Sequence, residues 1–140
     1  MGLSEVWEGG QPIWVPVEDV VGFHDFAIDR HGGRHGLRNQ GLLEQAVSRP
    51  QRLWFYRGWS NIARAAACYT ASIVFIHPFF DGNKRTGWGT ARQFVRANGF
   101  ELVCGEEDSY RMVLDYAASE KGDTEEAALA EFMYDHLFPL

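Results

Sequence analysis

Residues 62–76 constrain this chain more than any other stretch. They are almost entirely apolar or small, with a run of alanines followed by Cys68, Tyr69, Ile73, Val74 and Phe75. A helix that is apolar on every side belongs in the middle of a bundle, with other helices around it. Pro78 cannot continue that helix and biases His77 towards an extended backbone, so His77 is expected at or just past the helix end. Asp81-Gly82-Asn83 is turn chemistry, with Gly82 free to take a positive φ. Residues 84–98 then predict a second helix, with Gly99 as its stop signal.

Charge makes this junction unusual. Lys84 and Arg85 fall in the first turn of the second helix, where the backbone dipole is already positive. Cations there are unfavourable by about 0.3–1 kcal/mol each unless an anion sits opposite. Unpaired helix N–H groups, a glycine turn and two cations together describe a phosphate cradle. Asp81 adds one hard oxygen, suited to a Mg²⁺ that keeps most of its waters and binds through phosphates. His77 supplies a base able to work near neutral pH. Taken singly, each residue also has an ordinary reading: a helix-end histidine, a turn aspartate, a solvated cation pair. Their occurrence in one unbroken run is what favours a site.

The run His77-Pro78-Phe79-Phe80-Asp81-Gly82-Asn83-Lys84-Arg85-Thr86-Gly87 resembles the signature of the Fic/Doc family: His-x-Phe, two variable positions, Gly or Ala, Asn, Gly or Lys, then Arg. Lys84 is the Doc-type variant, where AMP-transferring members carry Gly. Pro78 and Gly82 are Fic-like, and Trp88 stands where those members place a second Arg. Looser Doc-like similarity runs through His24-Asp25, His31-Gly32-Gly33, residues 41–44 and Arg49-Pro50. The resemblance implies an all-α Fic-type helical bundle with a short β-hairpin flap. It implies His77 as general base, Asp81 as Mg²⁺ ligand, and Gly82, Asn83, Lys84 and Arg85 as the cradle for ATP phosphates. It implies that Lys84 reverses the nucleotide, so that the γ-phosphate goes to a hydroxyl of a target protein. The family's target is a translation factor and its members are toxins held by antitoxins. AMP transfer is the second reading, and a non-catalytic binding module of the same fold is the third. The resemblance places the flap, which would hold the target as an added strand, at Gln51, Arg52, Leu53, Trp54 and Phe55. The aromatic rings there have an ordinary packing role as well.

At 140 residues the chain is read as one domain over residues 1–140, with residues 1–11 loosely ordered. A net charge of −6 argues against direct nucleic-acid binding, although basic residues gather between Arg30 and Arg96 and allow a locally positive pocket. Cys68 and Cys104 make no disulfide or zinc framework and read as apolar fillers. The 62–76 run is too short and too polar to span a bilayer, and the start is no signal peptide, so a cytoplasmic protein is expected. Ser4-x-x-x-Glu8-Gly9 matches an inhibitory pattern of some Fic proteins, but so short a match arises readily by chance.

The remaining elements follow from periodicity. Residues 17–30 predict an amphipathic helix carrying His24 and Asp25 as scaffold. His31 and His35 flank two glycines and make a poor metal pair. Residues 41–47 predict a short helix that stops before Pro50. Ser60 is the expected cap of the central helix, and Arg92 and Arg96 are expected to be solvated. Residues 100–103 are expected to pair with residues 13–15, and two closing helices begin at Asp108 and Thr124.

Overall fold

In a computed structural model, which describes residue 7 and residues 10–140, the chain forms six helices and one two-stranded antiparallel sheet. Helices α1 (Val17–His31), α2 (Gln40–Tyr56), α3 (Ile62–Ile76) and α4 (Asn83–Ala97) precede strand β1 (Phe100–Leu102). Helices α5 (Glu106–Ala118) and α6 (Asp123–Asp135) and strand β2 (Leu137–Pro139) complete the chain. The all-α bundle expected from the sequence is what the chain adopts. No helix among the described residues is long and apolar enough to cross a membrane. The Ser4-to-Gly9 pattern lies outside the described residues, apart from Trp7.

Helix α3 is the centre. Residues 62–74, apart from the half-buried Arg64, are buried, and α2, α4 and α6 pack around them. Asn61, not Ser60, caps the helix, its side chain accepting from the Arg64 N–H at 3.2 Å. The closest approach is to α4. A Cβ on Gly87 would lie 3.1 Å from the Thr70 carbonyl oxygen and 3.2 Å from its Cα. Thr70 Oγ1 donates to the Gly87 carbonyl at 2.8 Å, so the two backbones are held in near contact. Small residues at the crossing thus set the distance at which α4 presents its first turn.

Helix α2 corrects the expected stop at residue 47. It runs through Pro50 to Tyr56, so residues 51–55 are helical and the hairpin flap expected there does not form. Proline removes one helix hydrogen bond and costs about 3 kcal/mol inside a helix. Leu43, Ala46, Val47, Pro50 and Trp54 recur at helical spacing and are all buried, and that stripe outweighs the loss. The backbone groups of residues 51–55 are spent within the helix and offer no strand edge. Beneath the same stretch Arg49 donates to Glu126 at 2.8 Å, to Ser72 at 3.1 Å and to Cys68 Sγ at 3.2 Å, tying α2 to α3 and α6.

The sheet also differs from expectation. Strand β1 pairs with β2, in the register Phe100↔Pro139, Glu101↔Phe138 and Leu102↔Leu137. Residues 13–15 do not pair because a side chain occupies their groups. Ile13 N–H donates to Asn98 Oδ1 at 2.8 Å, and Asn98 Nδ2 donates to the Ile13 carbonyl at 3.0 Å. Val15 N–H donates to the Tyr69 hydroxyl at 2.9 Å. Helices α5 and α6 start earlier than predicted, after Gly105 and Gly122, and Glu125 reaches back to the Gly122 N–H at 2.9 Å. Arg92 and Arg96 both reach Glu101, each at 3.3 Å, and are therefore paired rather than simply solvated.

Cys68 is fully buried, and burial pushes its thiol up to about 12. The thiol form favours the folded state; that contribution is whole below the unfolded value near 9 and is lost as pH rises towards 12. Cys104 is partly exposed. At pH 8 Ellman's reagent is therefore expected to titrate one thiol in the native protein, Cys104, and the second only in denaturant. Two fast thiols would contradict the packing around α3.

Candidate active site

The α3–α4 junction brings the signature residues together. Helix α3 ends at His77, which takes a left-handed conformation (φ 59, ψ 58) where the sequence predicts an extended one. Proline at the next position closes the right-handed helical region to His77, and a left-handed residue is a common way to end a helix. Lys121 is the other non-glycine residue with positive φ among those described. Such a backbone costs about 1–3 kcal/mol and persists only when its surroundings enforce it. Arg38 is part of that enforcement: Nε donates to the His77 carbonyl at 2.8 Å and a terminal nitrogen to the Ile76 carbonyl at 3.1 Å. The guanidinium thus caps the negative end of α3. The His77 side chain is exposed rather than packed.

The loop from Phe79 to Asn83 closes on itself. Phe79 N–H donates to Asn83 Oδ1 at 3.1 Å, and Asn83 Nδ2 donates to the Phe79 carbonyl at 3.0 Å. Both ends of this buried amide are engaged inside the loop, and the Asn83 backbone N–H is the group it adds to the uncapped first turn of α4. On the opposite side residues 36–38 run antiparallel to residues 78–80. Arg38 N–H donates to the Pro78 carbonyl at 2.8 Å and Phe80 N–H to the Gly36 carbonyl at 3.3 Å, around a Leu37–Phe79 bridge. In such a non-hydrogen-bonded pair the two residues turn their own N–H and C=O groups outward. Those of Phe79 meet Asn83, and those of Leu37 face away from the loop.

Two histidines read as scaffold from sequence prove to belong to the site. His24, 1% exposed, stacks on Phe79 with ring centroids 3.8 Å apart and meets the Asp81 carbonyl through Nε2 at 2.8 Å. A carbonyl can only accept, so Nε2 carries the proton. His31 Nε2 lies 3.3 Å from an Arg85 terminal nitrogen, which donates to it, and the Arg85 guanidinium sits 4.3 Å above the Tyr110 ring. His24 was legible as one polar residue in the buried stripe Val20, His24, Ala27, Ile28. Tyr110 carried no sequence signal, because only the fold brings α5 beside the first turn of α4.

Beside Gly82 lies a pocket of about 400 Å³ bounded by Asp81, Gly82, Asn83, Lys84, Arg85 and His31. Gly82 (φ 78) begins α4 with no side-chain cap, so the first-turn N–H groups of α4 are left for another acceptor. Lys84 and Arg85 have no carboxylate partner within salt-bridge distance among the described residues. Asp81 Oδ2 accepts the Arg34 N–H at 2.7 Å. No group of three or more histidine, cysteine, aspartate and glutamate side chains that could hold a metal ion forms among the described residues. That fits a cation held by one protein oxygen plus phosphates and water.

A model of the Fic/DOC family matches residues 14–95. The chain is 32% identical over 90 residues to the protein kinase doc of Escherichia phage P1, an alignment covering 64% of this chain and 71% of that protein. It is 38% identical over 87 residues to the toxin Doc of Mycolicibacterium smegmatis, covering 61% and 65% respectively. Tyr110 lies beyond the region matched by the family model.

Replacing Asn83 with Ala leaves the buried Phe79 N–H and C=O without partners, which costs about 1–3 kcal/mol per group. Urea unfolding of Asn83→Ala is expected to show a loss of that size. An unchanged midpoint would mean that the clamp does not hold the loop.

Proposed function

The chain belongs to the Fic/DOC family, and on that premise we propose that it transfers the γ-phosphoryl group of ATP, with Mg²⁺, to a hydroxyl on a target protein. The observation that carries this reading is the pairing of an exposed imidazole at one helix end with an uncapped, doubly cationic amino end of the next. Phosphoryl transfer asks little covalent chemistry of a protein; it needs charge around the phosphates and an aligned nucleophile. In this reading the target hydroxyl gives its proton to His77 as its oxygen bonds to the γ-phosphorus. The bond from that phosphorus to the β–γ bridging oxygen breaks, and ADP leaves. The first-turn N–H groups, Lys84 and Arg85 neutralise the phosphate oxygens. Asp81 would hold Mg²⁺, which supplies charge neutralisation at the phosphates. His24 and Asn83 hold the loop in shape from behind.

The relative from phage P1, which bears the name of a protein kinase, supports phosphoryl over AMP transfer. So does Lys84, which occupies space that a glycine would leave to the nucleotide. The target reading moves from residues 51–55 to the extended segment beside the loop, where the outward N–H and C=O of Leu37 offer an edge for an added strand. A relative named as a toxin supports an antitoxin as partner; a translation factor is the target class that the family resemblance suggests for testing. Location in the cytoplasm accords with that role.

The test is transfer of label to a protein of host lysate, from ATP labelled at the α or the γ phosphorus, with His77→Ala alongside. Label from the γ position alone, lost by about 10²-fold or more in His77→Ala, is the expected result. Label from the α position would establish AMP transfer instead. No label from either position that depends on His77 would leave a binding module of the same fold.

A further inference from the structure

The segment Gly32-Gly33-Arg34-His35-Gly36 joins α1 to the stretch that runs along the loop, and all five residues are exposed. Three glycines in an exposed connection favour mobility, since glycine loses more conformational freedom on ordering than any other residue. Yet the segment is tied at each residue after Gly33. Arg34 N–H donates to Asp81 Oδ2 at 2.7 Å, and the Arg34 guanidinium lies 3.7 Å over the Phe80 ring. His35 Nε2 lies 3.1 Å from Asp29 Oδ1, back on α1, and the Gly36 carbonyl accepts from Phe80 N–H at 3.3 Å. Three of these four ties end on Phe80 or Asp81.

Gly33 is the residue that permits this approach. Its φ is 117, where side chains are rarely tolerated, and a Cβ on it would lie 3.3 Å from the Asp81 Cβ and 3.1 Å from the end of Ile28. The peptide from Gly33 to Arg34 comes up against Asp81 because position 33 has no side chain. Gly32 has a backbone of the same kind, φ 84, but a Cβ there meets nothing within 4 Å. Asp81 is thus held at both ends: His24 on α1 holds its carbonyl at 2.8 Å, and the segment after α1 holds its carboxylate. A short N–H bond to a carboxylate is of the charge-assisted kind, and it sets the direction of the group.

We propose that the Gly33–Arg34 peptide is the positioning element of the metal carboxylate: it fixes Asp81 through Oδ2 and leaves Oδ1 as the oxygen for the divalent cation. This rests on the Mg²⁺ reading above. A cation held by a single protein oxygen depends on where that oxygen stands, and no cluster of metal-binding side chains among the described residues makes up for a carboxylate that turns away. Hydrogen-bond partners behind a metal ligand are worth about 10–100-fold in metal affinity. Gly33 is therefore a glycine for the sake of Asp81, and its effect is transmitted through that carboxylate alone.

The experiment compares Gly33→Ala with Gly32→Ala, which strains the backbone alike but leaves Asp81 untouched, and with Asp81→Asn. Dissociation constants for ATP are measured by calorimetry in Mg²⁺ and in EDTA, after a thermal melt confirms that each variant is folded. Expected is a gain in ATP affinity from Mg²⁺ in the unsubstituted protein that falls by about tenfold or more in Gly33→Ala and in Asp81→Asn. Gly32→Ala should keep the gain, and affinity in EDTA should change little in Gly33→Ala. A second readout needs no change at position 33: adding Mg²⁺ to the ATP complex of the unsubstituted protein should shift the Arg34 amide resonance, and Asp81→Asn should abolish the shift. A full Mg²⁺ gain in folded Gly33→Ala, an equal loss in Gly32→Ala, or an Arg34 amide that does not move overturns the assignment and leaves the peptide as a loop tie. No Mg²⁺ gain in the unsubstituted protein, or a gain that Asp81→Asn leaves intact, instead overturns the metal reading of Asp81, and this inference with it.

Discussion

The two hydrogen bonds between the Asn83 amide and the backbone of Phe79 decide the shape of everything around the site. They close five residues, Phe79 to Asn83, into a loop by pairing the Phe79 backbone groups with one side chain. With that loop closed, α4 can begin immediately after a left-handed glycine, and its first N–H groups remain unspent. A side-chain cap on α4 would have given those groups an internal acceptor. Instead the cap position is glycine, and two cations follow in a turn where no carboxylate among the described residues pairs with them.

Support for the loop arrives from three directions. His24 stacks under Phe79 and holds the Asp81 carbonyl; Arg38 caps the end of α3; residues 36–38 pair along residues 78–80. The close crossing of α3 and α4 at Thr70 and Gly87 fixes how the end of α3 at His77 faces the amino end of α4. Because each of these groups is buried or doubly bonded, the left-handed backbone at His77 is held despite its local cost. Arg85 is held separately, between His31 and the Tyr110 ring, so its position depends on α1 and α5 as well as on α4.

Far from the loop, the Arg49–Glu126 pair adds to the buried stripe that carries α2 through proline. Arg49 immediately precedes Pro50, where a helical backbone is disfavoured, yet its guanidinium reaches groups on both α3 and α6. Truncating one partner of such a buried pair is far more damaging than its net contribution suggests. The bundle is thus tied on one side by an ion pair and on the other by the loop, with α3 running between them.

What the sequence by itself determined is the local and the contiguous. The all-round apolar run of α3, the stop at Pro78, the glycine turn and the uncompensated Lys84–Arg85 pair are adjacent in the chain. Their physics is that of neighbours, so the helix, the loop and the cationic amino end of the next helix were legible without coordinates. Only the tertiary structure decided the rest. His24 meets Asp81 across 57 residues and His31 meets Arg85 across 54, and no periodicity within α1 marks either contact. The fate of residues 51–55 turned on a buried stripe outweighing a proline. The partner of β1 turned on Asn98 occupying the groups of Ile13 before a strand could. In each case two local preferences competed, and the free energy of packing against a distant element settled which one the chain adopted.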